Sequence, residues 1–422
     1  MLPASPWVRY GAAGGLAFLL LHFLIQLSSP AYAHHTSLSR AAEAMRLKQR
    51  PAEMWYGGRR VYPWETVGKG GNAKWAQGKV REEALRRNET LQVDEEGERV
   101  KAAFVVLVRE SDLWEILPSI QQMEDRFNHR FHYPYVFLND GLFSNDFKER
   151  VSNLASGQVK FGQVLAEHWG IDFPSWIDKP RAIKAINEMG QKPIPYGGSV
   201  PYRKMCRYQS GFFWRHPLLD EYEYYWRVEP SVKFFCDINY DVFKTMKDGG
   251  KKYGFTVSLY EYKDTITTLW NTTKNFIDAN PSYLAQPNLL GWISNDEGET
   301  YNLCHFWSNF EIASLDLWRS EAYRRYFDHL DKAGGFFYER WGDAPVHSIA
   351  AALFLKPEDF HFFQDIGYRH EPFQHCPQPG MGERCTCNPR QEENFEWHGY
   401  SCTSRWKELV HYTRGNPFVN SD

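Results

Sequence analysis

The feature that constrains this chain most is an unbroken apolar run, Ala102-Ala103-Phe104-Val105-Val106-Leu107-Val108, which follows a long polar stretch. A strand with one wet face alternates apolar and polar residues. A continuous run therefore reads as a central strand buried on both faces, with helices needed above and below it. Next comes Ser111-Asp112-Leu113-Trp114-Glu115, a helix start with Ser111 or Asp112 as N-cap, continuing through LWEILPSIQQMEDRF with Pro118 in its first turns. YPYVFLND then supplies another short strand. Strand, helix, strand, repeated in later Val- and Phe-rich segments, gives an α/β domain with a mostly parallel sheet. Residues 34 to 98 differ in character: they are charged, carry Gly68, Gly70 and Gly71, and show no sustained apolar period, so they read as a stem leading to a folded domain.

A hydrophobic fraction of 43% over 422 residues is ample for a large core. The net charge of -3, with basic residues scattered rather than arrayed on one face, gives no pull toward nucleic acid. Near the N-terminus, Gly11 to Leu27 is apolar apart from His22 and Gln26; at roughly 17 residues it is the short end of a membrane span. It reads as a signal-anchor or as a signal peptide cleaved at Ala31-Tyr32-Ala33, and either places the remainder in the secretory lumen. All seven cysteines, Cys206, Cys236, Cys304, Cys376, Cys385, Cys387 and Cys402, lie from residue 206 onward, where disulfides are expected and at least one thiol stays unpaired. A zinc site from Cys376, Cys385, Cys387 and Cys402 is disfavoured because the usual C-x-x-C spacing is missing. Asn88-Glu89-Thr90 and Asn271-Thr272-Thr273 are glycosylation acceptors by pattern.

No phosphate-cradling P-loop, no G-x-G-x-x-G after the first strand and no G-x-S-x-G elbow is present, which removes the main support for ATP-type, dinucleotide and serine-hydrolase chemistry. Gly197-Gly198 reads as a turn. The chemistry gathers elsewhere. Tyr222 to Phe243 is an aromatic strand that delivers Glu229, Asp237 and Asp241 to an open sheet edge, where a metal and a phosphorylated substrate meet. The plainer reading is a buried strand with an acidic turn. Pro230 biases Glu229 toward extended backbone. Glu311 stands at the start of a helical pattern among Trp307 and Phe310, suited to attack on a sugar carbon or to simple pairing with a helix dipole. Asp343 caps an apolar helix or contacts substrate, and His347 reads as a satisfied core histidine. His370 ends a probable strand.

The segments Tyr225-Trp226-Arg227-Val228-Glu229-Pro230, Phe234-Phe235-Cys236-Asp237-Ile238, Cys304-His305-Phe306-Trp307-Ser308-Asn309-Phe310-Glu311 and Gly334 to His347 together closely resemble the fungal Golgi α-1,2-mannosyltransferases of glycosyltransferase family 15. The likeness runs from about Ala102 to the Cys385-Thr386-Cys387-Asn388-Pro389 tract and Cys402. It implies a GT-A type nucleotide-sugar transferase fold with a mixed, mostly parallel central sheet flanked by helices. It also implies GDP-mannose as donor, Mn2+ as cofactor, retention at the anomeric carbon and mannosylated glycoprotein glycans as acceptors. By residue, Glu229 and His370 correspond to the metal ligands, Glu311 to the proposed nucleophile and Asp343 to a substrate contact. Arg109, Tyr202 and Arg227 match positions around nucleotide and donor sugar. The usual D-x-D is absent, with Asp237-Ile238-Asn239 nearest to it, so Asp237 is the remaining donor-site candidate. Such proteins are single-pass type II membrane proteins of the Golgi, which implies a cytoplasmic tail at 1–10, a signal-anchor at 11–30, a stem at 31–98 and a luminal catalytic domain at 99–422. A non-catalytic luminal lectin predicts sugar binding without GDP release, and a glycoside hydrolase predicts activity without metal or nucleotide.

Overall fold

The computed structural model describes residues 54–56, 59–61, 99–170, 172–390 and 394–414. The chain divides into two units, Met1–Gly97 and Glu98–Asp422. In the first, Met54–Tyr56 pairs antiparallel with Arg59–Val61. The expected tail and anchor, and the stem apart from those two strands, lie outside the described residues. Among the described residues no helix is long and apolar enough to cross a membrane.

The second unit is built on seven strands: β1 (Ala102–Leu107), β2 (Tyr135–Asn139), β3 (Val159–Gln163), β4 (Tyr224–Arg227), β5 (Tyr253–Phe255), β6 (Ile312–Ser314) and β7 (Phe360–Phe362). Their spatial order is β3-β2-β1-β4-β6-β5-β7. β1 is parallel to β2 and β4, β2 to β3 and β5 to β7, while β6 runs antiparallel between β4 and β5. The expected mixed, mostly parallel sheet is thus present, with β1 inside it between β2 and β4.

The apolar run works as its period demands. Ala103 and Val105 enter the core on one face, Ala102, Phe104 and Val106 the core on the other. Helices Leu113–Met123, Asn145–Leu154 and Val242–Asp248 cover the second face, while Val200–Gly211, Glu321–Ala333 and Asp343–Phe354 cover the first. At the first helix the expected cap is not made. Asp112 occupies the N-cap position with no capping hydrogen bond, because Arg109 takes its carboxylate at 2.9 Å. Pro118 lies inside this helix.

Two disulfides, Cys236–Cys385 and Cys304–Cys402, staple the C-terminal segment to the domain, a third, Cys376–Cys387, closes a loop within that segment, and Cys206 is a buried free thiol. The four cysteines weighed as a zinc site are divided among these bridges. Asn271 opens toward solvent from the helix Leu269–Ala279, but Thr273 of its acceptor triplet is buried and bonded to the Leu269 carbonyl and Tyr326. Asn88 lies outside the described residues.

Candidate active site

In an open α/β sheet, ligands gather beyond the carboxyl ends of the parallel strands. At the end of β4 the chain continues as Val228-Glu229-Pro230 into a tight turn in which Ser231 takes a φ of 63°, a left-handed value uncommon outside glycine. The turn leaves Glu229 at the rim. A separate three-stranded sheet, Lys233–Phe234 with Tyr368–His370 and Phe373–His375, then returns His370 to the same place from 141 positions later in the chain (370 minus 229).

Arg227, the last residue of β4, organises the cluster. Its guanidinium grips Glu229 through Nε at 2.8 Å and through Nη2, and reaches Asp343 Oδ2 through Nη1 at 2.5 Å. Ser308 donates to the same Asp343 oxygen at 2.8 Å. Asp343 begins the helix Asp343–Phe354, so its carboxylate also meets the positive end of that helix. Burial pushes the Glu229 carboxyl up, but Arg227 and His370 outweigh it and hold it down at about 2. Burial likewise favours the protonated form of Asp343, and Arg227 again wins, holding that carboxyl below its ordinary range.

Glu229 Oε2 lies 3.5 Å from His370 Nε2, and both side chains keep part of their surface in solvent, 23% and 31%. The other imidazole nitrogen, Nδ1, donates to the Glu371 carbonyl at 3.0 Å. That hydrogen bond fixes the tautomer, so in the neutral ring Nε2 turns a lone pair toward Glu229. Burial disfavours a charged His370, yet the adjacent carboxylate more than compensates and raises its affinity for a proton. An oxygen and a nitrogen at this spacing fit one divalent cation in place of that proton, and the mixed donor set suits Mn2+ better than Mg2+. Among the described residues no group of three or more His, Cys, Asp or Glu side chains is placed to hold a metal. The pair Glu229 and His370 would supply two protein donors to such a cation.

The other candidates fall into three places. Tyr202 stands on the first turn of Val200–Gly211, where Ser199 Oγ accepts its N–H at 3.2 Å; its ring stacks on exposed Tyr196 at 4.5 Å and carries Arg340 5.4 Å from its centroid. Arg109 is exposed just beyond the end of β1 and paired with Asp112. Asp237 is held away from the Arg227 cluster: Arg126 binds it at 2.6 Å and Arg384 at 3.1 Å, in a basic surface cleft that also includes Arg130 and Lys233, beside the Cys236–Cys385 bridge. Asp241 caps the helix Val242–Asp248 through the Phe243 and Lys244 N–H groups.

Glu311 differs from the sequence expectation. It does not open a helix; it precedes β6, its carbonyl accepts the Arg227 N–H at 2.9 Å, and the helix begins only at Leu315. It is fully buried. Its carboxylate accepts from Tyr225 and, at 2.7 Å, from Tyr253, and lies 2.9 Å from His347 Nδ1. His347 is the satisfied core histidine expected from the sequence, whereas Tyr225, Tyr253 and Ser308 escape sequence reasoning as polar partners, because a tyrosine on a buried strand looks the same whether or not it meets a carboxylate.

The sequence profile of the glycolipid 2-alpha-mannosyltransferase family matches residues 69–411. Glycolipid 2-alpha-mannosyltransferase 1 of Candida albicans is 58% identical over 320 residues, covering 75% of this chain and 73% of that protein. Among solved structures, core-mannan synthase A (CmsA/Ktr4) of Aspergillus fumigatus in its Mn/GDP form is 43% identical with a TM-score of 0.67, covering 71% of this chain and 81% of the other. The mannosyltransferase Ktr4p of S. cerevisiae in complex with GDP is 38% identical with a TM-score of 0.69, covering 78% and 91%. A match spanning strand edge, rim and disulfide-stapled tail at these identities places the chain in the glycolipid 2-alpha-mannosyltransferase family.

Proposed function

We propose that this protein is a retaining α-1,2-mannosyltransferase that moves mannose from GDP-mannose to mannosyl acceptors on O-linked or N-linked glycans of glycoproteins, with Mn2+ as cofactor. The observation that carries this reading is the convergence of Glu229 and His370, remote in sequence, at the carboxyl end of β4. Their fit to one cation agrees with one relative solved in its Mn/GDP form and another in complex with GDP.

In this reading Glu229 Oε2 and His370 Nε2 would hold the metal, which would supply positive charge against the charge that develops on departing GDP. Arg227 keeps Glu229 ionised and oriented, so the carboxylate is ready without a proton to lose. Asp343, fixed by Arg227 and Ser308 on one oxygen, keeps the other for a sugar hydroxyl. Arg109 and the Tyr196–Tyr202 stack stand beyond the cluster, where a guanidinium and an aromatic face suit phosphate and ring contacts. GDP-mannose is α-linked, so an α product means the configuration is kept.

The apolar run from Gly11 to Leu27 and the three disulfides support a type II arrangement, with residues 1–10 cytoplasmic, 11–30 anchoring, 31–98 as stem and 99–422 in the Golgi lumen. Incubating the purified protein with GDP-mannose, a mannoside acceptor and Mn2+ is expected to give an α-1,2-linked product and GDP, both abolished by chelator. GDP release that chelator leaves unchanged, or no release at all, contradicts the assignment.

A further inference from the structure

Glu311, which the family resemblance marks as a nucleophile, sits where its oxygens are already occupied. Each hydrogen bond around it has a direction that the donors and acceptors themselves dictate. The Gln209 carbonyl only accepts, so His347 Nε2, 3.1 Å away, carries a hydrogen. The Trp318 indole N–H only donates; it reaches Tyr225 Oη at 3.1 Å, and the Tyr225 hydrogen is left for Glu311 Oε1. Tyr253 donates to Oε2 at 2.7 Å. His347 Nδ1 lies 2.9 Å from Oε2 and 3.2 Å from Oε1. With Nε2 already protonated, that contact needs a second hydrogen shared between the imidazole and the carboxyl. Trp318 closes the cage, stacked on the imidazole at 4.1 Å. Glu311, Tyr225, Tyr253, Trp318 and His347 are all buried.

Strand parity explains the placement. Tyr225, Tyr253 and Ala313 pack into the core on one face of the sheet, and Glu311, two residues before Ala313, shares that face. What Glu311 offers the site is its main chain, which accepts the Arg227 N–H and so joins the start of β6 to the end of β4.

We infer that Glu311 is a positioning residue whose shared-proton network with His347, Tyr225 and Tyr253 pins β6 against β4 and thereby sets the Arg227 clamp on Glu229 and Asp343, without bonding to the sugar. The inference rests on the mannosyl-transfer reading above. Retention then proceeds with no mannosyl–Glu311 bond. The anomeric C–O bond to the diphosphate breaks with its electron pair going to phosphate, the acceptor oxygen bonds to the same face, and the acceptor proton passes to the departing phosphate oxygen.

The test compares Glu311→Gln and Glu311→Ala in the full-length protein. In Glu311→Gln the amide carbonyl still accepts from Tyr225 and the amide N–H groups donate to Tyr253 and to His347 Nδ1, so the network survives without the charge. Glu311→Gln is expected to keep kcat within about tenfold of wild type and to melt close to it, with KM for GDP-mannose nearly unchanged. Glu311→Ala is expected to lose more than about a hundredfold in kcat and to melt well below. Loss of a true nucleophile removes about a thousandfold or more whatever replaces it. The inference is overturned if Glu311→Gln is as inactive as Glu311→Ala at unchanged KM and melting temperature. A mannosyl adduct found by mass spectrometry on the Glu311 peptide, after wild type meets a 2-fluoro analogue of GDP-mannose, also overturns it. If wild type transfers no mannose, the functional reading fails, and the melting temperatures still decide: Glu311→Ala melting with wild type refutes the network.

Discussion

Two glutamates flank the same strand pair and end in opposite situations. Glu229 follows β4, keeps an edge in solvent, and is held ionised by Arg227 beside an imidazole. Glu311 precedes β6, is fully buried, and is filled by two tyrosine hydroxyls and His347. The difference comes from where each stands on the sheet. Past the end of β4 the turn at Pro230-Ser231 carries the side chain to the rim, while at the head of β6 the pleat turns it into the core. An acid beside an open strand end stays open to a ligand; an acid one pleat inward is enclosed by its neighbours. Asp237 makes the same point from outside the cluster, being neutralised by Arg126 and Arg384 on another surface.

This contrast is broken most readily at the rim. Glu229→Ala and His370→Ala each remove one of the two proposed metal donors, and turnover with Mn2+ is expected to fall by about a hundredfold to ten-thousandfold; direct Mn2+ titration should show weakened binding in both. Full activity in either would place the metal elsewhere. Arg227→Ala strips two acids of their shared partner, and leaving a buried charge uncompensated costs about 3–5 kcal/mol. Chemical denaturation should register that loss alongside lost activity. Arg227→Lys should rescue little, because one ammonium cannot reproduce the two-sided fork. Cys304→Ser, opening a bridge that spans 98 residues, should cost about 2–5 kcal/mol of stability while leaving Mn2+ affinity of the folded protein intact. The smallest effect is expected at Asp237→Asn, which should change kcat/KM less than about threefold; a collapse of Mn2+ binding there would equate it with Glu229.

Much of this was readable before any coordinates. The apolar run at Ala102 announces a doubly covered central strand, YPYVFLND gives its neighbour, and Pro230 biases Glu229 toward the extended backbone on which it leaves β4. The network around Glu311 was not readable, for a physical reason. Its partners lie 86, 58 and 36 positions away, on strands and a helix whose polar atoms are hidden among apolar neighbours. β6 is only three residues long and runs straight into a helix, so its period was swallowed by the helical pattern that follows. Asp112 looked like a cap and instead pairs with Arg109, a competition between two local partners that spacing alone does not rank. Disulfide pairing likewise depends on which loops meet, as with Cys385 and Cys387, which sit two apart and join different partners.

The pairing of Glu229 with His370 is the central claim, and pulsed electron paramagnetic resonance of Mn2+ bound to the protein with GDP tests it most directly. A nitrogen coupling from one imidazole is expected in wild type, lost in His370→Gln and retained in Asp237→Asn. A spectrum without nitrogen coupling, or a coupling that survives His370→Gln, would contradict the account.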